Sequence, residues 1–415
     1  MARQRTAPTI ADVGEFGFLA KLLPHFARSA GTVVGPGHDC AVIRCGRLKF
    51  LFTVDALLEG VHYKPGWMSP QQIGRKSFLV NASDVAAMGG QPRFCVVSLG
   101  VPATFAARDL LALEAGIVAA ARECGTVVVG GNLARAEQLF VSIALLAGAP
   151  KRIITRAGAR RGDRVYVTGT LGDAALGVRL LSGEHALRRC AYPIRRFREP
   201  SPRLQAGRLL AELGIASAMI DVSDGLVQDL GHLCEQSHVG AVLHVSAVPL
   251  SAAYRRLLAS RRLFAGSAQG AVRVACDGQP AATQRGADLP AGRGAQLLAL
   301  HGGEDYELLC TVPERTVVLL ERNRARLGCP ITCIGEITAA PGIELVDGGG
   351  TPIALESLGF DHFRTMRKRR KEKVPPPYQG GARGGCQTVS VDLPLPPSFA
   401  RRGKRISTKA WTRTA

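Results

Sequence analysis

The sequence predicts an α+β protein in which strands and helices alternate in α/β-type layers. Three observations predict it. Strand-like apolar runs alternate with helix-like runs over the first 150 residues. Strand–turn–helix blocks resume after residue 160. The 415 residues are 46% hydrophobic but only 5% aromatic and include 48 glycines, a composition suited to short elements joined by tight turns. A chain of this length has enough apolar material for two domains.

The elements follow in order. Residues 14–30 have helical apolar spacing, interrupted at Pro24. Residues 48–63 begin as a β-rich run that carries Asp55. The spacing predicts a helix over 69–90, with Ser69 as cap, Pro70 in the first turn and glycines at the end. Residues 94–101 read as a strand and 103–124 as a helix. "TVVVGG" and "LFVSIALLAG" read as further strands. Later blocks open at 160–181, 216–245 and 299–314. A boundary near 148–160 gives an N-terminal domain over 13–150 and a C-terminal domain over 151–365. Residues 266–296 lack apolar periodicity and read as a flexible insert. Residues 366–415, with a basic run and a Pro-Pro-Pro stretch, read as a disordered basic tail.

Charge and cysteines exclude several classes. The net charge is +20, but residues 367–415 alone hold 13 basic and 2 acidic residues, so much of the excess sits at one end. A basic tail binds polyanions weakly by counterion release. No aromatic interleaving or recognition helix accompanies it, so no specific nucleic-acid partner is expected. No run approaches the ~18 apolar residues of a membrane span, and the first residues lack a leader's apolar core. Eleven cysteines without a CxxC pair read as reduced thiols in a cytoplasmic protein.

The chemistry lies in aspartates that end apolar runs. Asp39 sits in "GPGHDCAV", Asp55 in "FTVDALLEG", Asp84 in "NASDVAAMGG", and Asp221 and Asp224 in "IDVSDGL", with Asp229 just beyond. One such residue reads equally as a helix cap or turn. Five in Gly/Ala-rich settings suggest carboxylates gathered around a cation, since a buried carboxylate is costly without one. Oxygen ligands with few histidines or thiolates favour Mg²⁺ or Mn²⁺ over zinc. Dispersed carboxylates with magnesium in turn suggest a phosphate substrate. There is no P-loop and no protein-kinase motif set. The glycine clusters at 128–132, 169–177 and 301–307 read either as turns or as backbone donors to phosphate.

Nine motifs in order resemble those of the thiamine-monophosphate kinase family. They are "GEFGFLAKL", "GPGHDCAV", "TVDALLEGVHY", "NASDVAAMGGQP", "VVGGNLARAEQL", "RAGARRGDRVYVTGTLGDAALG", "IDVSDGLVQDLGHLCEQS", "GGEDYELLCTVP" and "LGFDHF". The resemblance runs from about residue 13 to 363 and lapses over 266–296 and the tail. It implies the PurM-like two-domain fold shared with aminoimidazole ribonucleotide synthetase and selenophosphate synthetase, and a homodimer built through the N-terminal sheet. It also implies an ATP-dependent conversion of thiamine monophosphate to thiamine diphosphate with several Mg²⁺ ions. By similarity, metal binding falls on Asp39, Thr53, Val54, Asp55, Asp84, Asn132, Asp221 and Asp224. ATP contacts fall on Gly130, Gly131, Arg156 and Ser223, and thiamine monophosphate contacts on His62, Glu304 and, by stacking, Phe360. No residue is implied as nucleophile or base.

Some residues depart from the family pattern. His38 and Val54 replace an aspartate and a threonine that are common there. Asn132 replaces a frequent aspartate, and Phe360 replaces tryptophan or tyrosine. Lys76 in "GRKSFLV" reads either as a phosphate contact or as a solvated lysine. Two alternatives accompany the kinase reading. One is another ATP-dependent enzyme of the superfamily, such as a selenophosphate synthetase. The other is a nucleotide-binding homologue without activity.

Overall fold

The computed structural model describes residues 9–26, 29–183, 191–259 and 298–353. The expected insert at 266–296, the tail at 366–415 and Phe360 lie outside the described residues.

The first described elements are α1 (Ile10–Val13) and α2 (Glu15–Leu22). A 3₁₀ turn at Leu23–His25 follows α2, where Pro24 ends the helical spacing. A first sheet contains β1 (Thr32–Val34), β2 (Ala41–Cys45), β3 (Leu48–Leu58), β4 (Gln91–Val101), β5 (Val127–Arg135) and β6 (Phe140–Gly148), in the order β1-β2-β3-β6-β4-β5. All neighbours are antiparallel except β4 and β5.

Two helices, α3 (Pro70–Ala87) and α4 (Ala107–Glu123), form the layer associated with this sheet. Ser69 caps α3 by accepting from Gln72 N–H, and Gln72 returns a bond to Ser69 N–H. The helices cross closely because glycines face each other's backbone. A Cβ on Gly74 would lie 1.9 Å from Leu113 O, and one on Gly116 would lie 2.1 Å from Gln71 O. The crossing buries nearly all of α3, including its polar residues Lys76, Ser77, Asn81 and Ser83.

The other face of the first sheet is apolar and open. Phe52, Leu146 and Phe94 form one cross-strand row, and Val54, Ala144 and Val96 form the next. Phe52, Val54, Phe94 and Val96 are between 43% and 59% exposed.

The second half builds β7 (Arg164–Thr168), α5 (Asp173–Ser182), α6 (Ala191–Arg198), α7 (Leu204–Glu212), β8 (Ala218–Asp221), α8 (Leu226–Ser237), β9 (Gly240–His244) and α9 (Ala252–Ala259). It continues with β10 (Leu308–Val312), α10 (Glu314–Asn323), β11 (Ile331–Thr338), β12 (Gly342–Val346) and β13 (Pro352–Ile353). Its strands order as β13-β12-β9-β11-β7-β10-β8, antiparallel except β9 with β12.

This sheet is buried on both sides. Val165, Val167, Ile220 and Leu309 pack with Leu226, Leu230 and Leu233 of α8. Tyr166, Met219, Leu308 and Cys310 pack with α7, with Leu320 of α10 and with Ala86 and Ala87 at the end of α3. Alternation along each strand divides the side chains between these two cores. Helix α3 therefore touches both halves of the chain, and the residues near its end lie beside both sheets.

Among the described residues no helix is long and apolar enough to cross a membrane.

Candidate metal and phosphate site

Three carboxylates from separate elements converge. Asp39 comes from the turn before β2, Asp84 from the last turns of α3 and Asp221 from the end of β8. Each offers an oxygen within 4.8 Å of those of the other two. Neutral donors hold two of them in place. Thr53 Oγ1 donates to Asp84 at 2.6 Å, and Ser83 Oγ donates to Asp221 at 2.6 Å. The Asp55 N–H donates to Asn81 Oδ1 at 2.8 Å, which fixes β3 against α3 beside the cluster.

Positive charge reaches the group from one side. Arg156 donates to Asp39 Oδ1 from NH2 at 2.9 Å and from Nε at 3.3 Å. The second oxygen of Asp39, Oδ2, is buried and has no hydrogen-bond partner among the described residues. An orphaned oxygen on a carboxylate that meets two others is an arrangement that a hard cation satisfies. His38 Nδ1 accepts from Arg156 N–H at 3.3 Å. Burial lowers the His38 pKa against the pull of Asp39, so the imidazole is neutral at pH 7 and adds no charge here.

The electrostatics follow from crowding in a dry place. Burial pushes Asp84 well above the usual carboxylate range, and the charges of Asp55, Asp221 and Asp39 push it further. Burial, then Asp39, raises Asp221 to about 7. Without a cation, therefore, folding favours protons on these two groups. With a divalent ion among the oxygens, repulsion becomes attraction and the charged forms are favoured. The donor set of carboxylates plus a hydroxyl fits a hard ion such as Mg²⁺ or Mn²⁺.

The β8–α8 loop forms a second wall. Asp229 accepts from the N–H groups of Ser223, Asp224 and Gly225 at 3.1, 3.1 and 3.0 Å. Its carboxylate thus shapes the loop from within. Glu304 N–H donates to Ser223 O at 2.7 Å, so residues 301–306 lie against this loop. The Glu304 side chain pairs with Lys76, which is fully buried on α3.

Family models for the AIR synthase related protein N-terminal domain and C-terminal domain match residues 37–148 and 160–348. The thiamine-monophosphate kinase of Salmonella typhimurium is 34% identical over 362 residues, covering 85% of this chain and 99% of the relative. The chain belongs to the thiamine-monophosphate kinase family. A solved structure described as AaThiL complexed with AMPPCP and TMP matches with a TM-score of 0.69 and 28% identity, over 86% of this chain and 100% of that one. The thiamine-monophosphate kinase of Stenotrophomonas maltophilia matches with a TM-score of 0.60 and 29% identity, over 79% and 95%.

Against this thiamine-monophosphate kinase fold, the residues singled out in the sequence divide into groups. Asp39, Asp84 and Asp221 form the cluster, with Thr53 bonded to it and Asp55 among the charges acting on it. Asp224 lies outside the trio and accepts from Gln228 Nε2 at 3.1 Å. Val54 turns its side chain to the open face of the sheet, which leaves only its backbone facing inward. Gly130, Gly131 and Asn132 lie on the exposed strand β5, three strand spacings or about 14 Å from β3. Within the chain they do not join the cluster. Gly131 also has a packing role, since a Cβ there would lie 2.1 Å from Val97 O. His62 Nδ1 accepts from Leu58 N–H at 3.0 Å, which leaves Nε2 as the protonated nitrogen of a neutral ring.

The glycine run at 169–177 is not an open phosphate cradle. Asp305 accepts from Gly172 N–H at 2.6 Å and Ala174 N–H at 3.3 Å, so the start of α5 is already filled by an internal carboxyl group. Arg156, an ATP contact by the resemblance, is engaged by Asp39. Sequence reasoning missed the supporting residues Asn81 and Ser83 and left Lys76 undecided. Their signal was polar side chains inside a helix with too little polar surface to be solvated.

The sign of the pH dependence follows from the raised pKa values. Between about pH 4 and pH 7 the folded, metal-free chain keeps protons that the unfolded chain releases, so the cluster's contribution to stability falls as pH rises through that window. Mg²⁺ is therefore expected to raise the unfolding temperature more at pH 8 than at pH 5.5. Differential scanning fluorimetry at both pH values, with and without 5–10 mM Mg²⁺ (roughly a saturating level for weak sites), checks it; an equal shift at both would contradict it.

Proposed function

We propose that this chain transfers the γ-phosphoryl group of ATP to the phosphate of thiamine monophosphate, giving ADP and thiamine diphosphate. The observation that carries this reading is the convergence of Asp39, Asp84 and Asp221 with one orphaned carboxylate oxygen, in a chain of this family.

The acceptor is a phosphate, already anionic at neutral pH, so no hydroxyl has to be deprotonated. The site accordingly needs no nucleophile and no general base. Its task is to bring two anions together in line and offset their repulsion. Magnesium ions, held by Asp39, Asp84 and Asp221 with Asp55, Asp224, the Thr53 hydroxyl and the Val54 carbonyl, would supply that positive charge when bound.

The chain's own residues do the rest. Thr53 and Ser83 keep two carboxylates oriented through short hydrogen bonds. Arg156 neutralises one side of Asp39 and, with Gly130, Gly131 and Ser223, is assigned to ATP. His62, Glu304 and Phe360 are assigned to thiamine monophosphate. A carboxylate at Glu304 complements the cationic thiazolium ring, and an aromatic face at position 360 would stack on a planar ring. Residues 13–150 and 151–365 would act as the N- and C-terminal domains of the enzyme, in the cytoplasm, where thiols stay reduced.

The proposed assembly is a homodimer through the open face of the first sheet. Its rows Phe52–Leu146–Phe94 and Val54–Ala144–Val96 expose contiguous apolar surface that a second copy can match.

Two experiments test the proposal. A product assay with ATP, Mg²⁺ and thiamine monophosphate should yield thiamine diphosphate, and Asp84→Asn should lower turnover by about 10²-fold or more, from lost metal stabilisation. Absence of product with the wild type, or full activity in the variant, would contradict it. Sedimentation should give a dimer for the wild type and a monomer for Phe94→Glu; a wild-type monomer would contradict the assembly.

A further inference from the structure

We propose that Lys76 is a positioning residue for the thiamine moiety: it fixes the Glu304 carboxylate and ties its position to the helix that carries Asp84. The inference rests on the assignment of Glu304 to thiamine monophosphate made above.

The geometry is specific. Lys76 has no exposed surface, yet its ammonium reaches the edge of the site. It bonds Glu304 Oε2 through a short contact and Phe197 O at 2.9 Å, and it lies 3.7 Å from the centre of the Phe197 ring. An ammonium has three donors and prefers an aromatic face to bare hydrocarbon. Carboxylate, carbonyl and ring therefore leave this cation one orientation. Trp67 packs edge-on against the same Phe197 ring, with centroids 5.9 Å apart, and holds it in place.

Glu304 is the less buried partner. Its side chain keeps 25% of its surface exposed, and among the described residues only Oε2 is engaged. Its second oxygen is left for a ligand. A pair made solely for the core would bury and saturate both ends. Here one end is locked and the other is presented.

The backbone adds a second tether. Glu304 has φ +70°, a costly conformation for a side chain with a Cβ. It is held by the Glu304 N–H bond to Ser223 O, within the loop that follows Asp221. Tyr306, two residues on, donates its N–H to Val222 O at 2.8 Å, directly beside Asp221, which places the pair and the metal cluster in one neighbourhood. On α3, Lys76 and Asp84 share a face about 12 Å apart along the axis. One rigid helix thus spaces the carboxylate that meets the cationic ring from the carboxylates that meet phosphate.

Steady-state kinetics with ATP, Mg²⁺ and thiamine monophosphate test this. Lys76→Met and Lys76→Gln should raise KM for thiamine monophosphate by roughly tenfold or more and leave KM for ATP within about twofold. In a Glu304→Gln background, Lys76→Met should add little, because its effect runs through that carboxylate. A parallel rise in both KM values, or additive effects in the double variant, would overturn the proposal. If Lys76→Met does not fold, Lys76→Gln, which keeps a donor for Phe197 O, is the variant read. Wild-type turnover is the control. Its absence speaks against the proposed reaction, whereas wild-type turnover with unchanged KM in both lysine variants speaks against Lys76 alone.

Discussion

Repulsion between buried carboxylates is the constraint on which the rest of this structure depends. Asp39, Asp84 and Asp221 are held within 4.8 Å of one another with one guanidinium beside them. Left alone, such a group opposes folding, because each charge is desolvated and faces others of the same sign. Among the described residues no second arginine or lysine pairs with these carboxylates to relieve the conflict. The hydroxyls of Thr53 and Ser83 fix Asp84 and Asp221, orienting their oxygen atoms without neutralising them. That choice keeps the site hungry for a cation, and a phosphoryl-transfer enzyme with two anionic substrates needs a site of that kind.

The fold is arranged to deliver these groups. Helix α3 is buried almost along its whole length because glycines let it press against α4, and its last residues enter the core of the second sheet. It brings Asn81, Ser83 and Asp84 to the place where β3, the turn before β2 and the end of β8 meet. The second sheet supplies Asp221 from a fully buried strand and, through Asp229, a loop whose backbone donors are turned inward. Further from the cluster, Glu307 accepts from Arg196, Arg203 and Thr168 in a buried network, and Asp305 occupies the start of α5. These acids sit beside Glu304 in sequence but have internal partners. Adjacent residues of one motif thus divide between scaffold and site.

Much of this was legible in the sequence. Ser69 and Pro70 marked the start of α3, Pro24 marked the end of α2, and the apolar runs ending in Asp55 and Asp221 became β3 and β8, because local propensity and burial agree there. The importance of Asp39, Asp84 and Asp221 was legible from acidic residues in settings too apolar for solvation. That such carboxylates gather around a cation was expected from the sequence; which three of them meet was not legible, since it depends on pairings such as β3 with β6 and β10 with β8 between distant segments. The run at 169–177 stayed open between turn and phosphate donor because a glycine-rich helix start looks the same whether a ligand or Asp305 fills it. Lys76 stayed ambiguous because a lysine in a helix gives no local sign of being buried. Only the small residues that pack α3 against α4 reveal that.

The most direct measurement is a crystal structure with Mn²⁺ and a non-hydrolysable ATP analogue, with the metals located by anomalous scattering. Peaks are expected within about 2.0–2.3 Å of carboxylate oxygens from Asp39, Asp84 and Asp221, beside the phosphates of the analogue. An analogue bound with no metal at these three carboxylates, or metals held elsewhere, would contradict it.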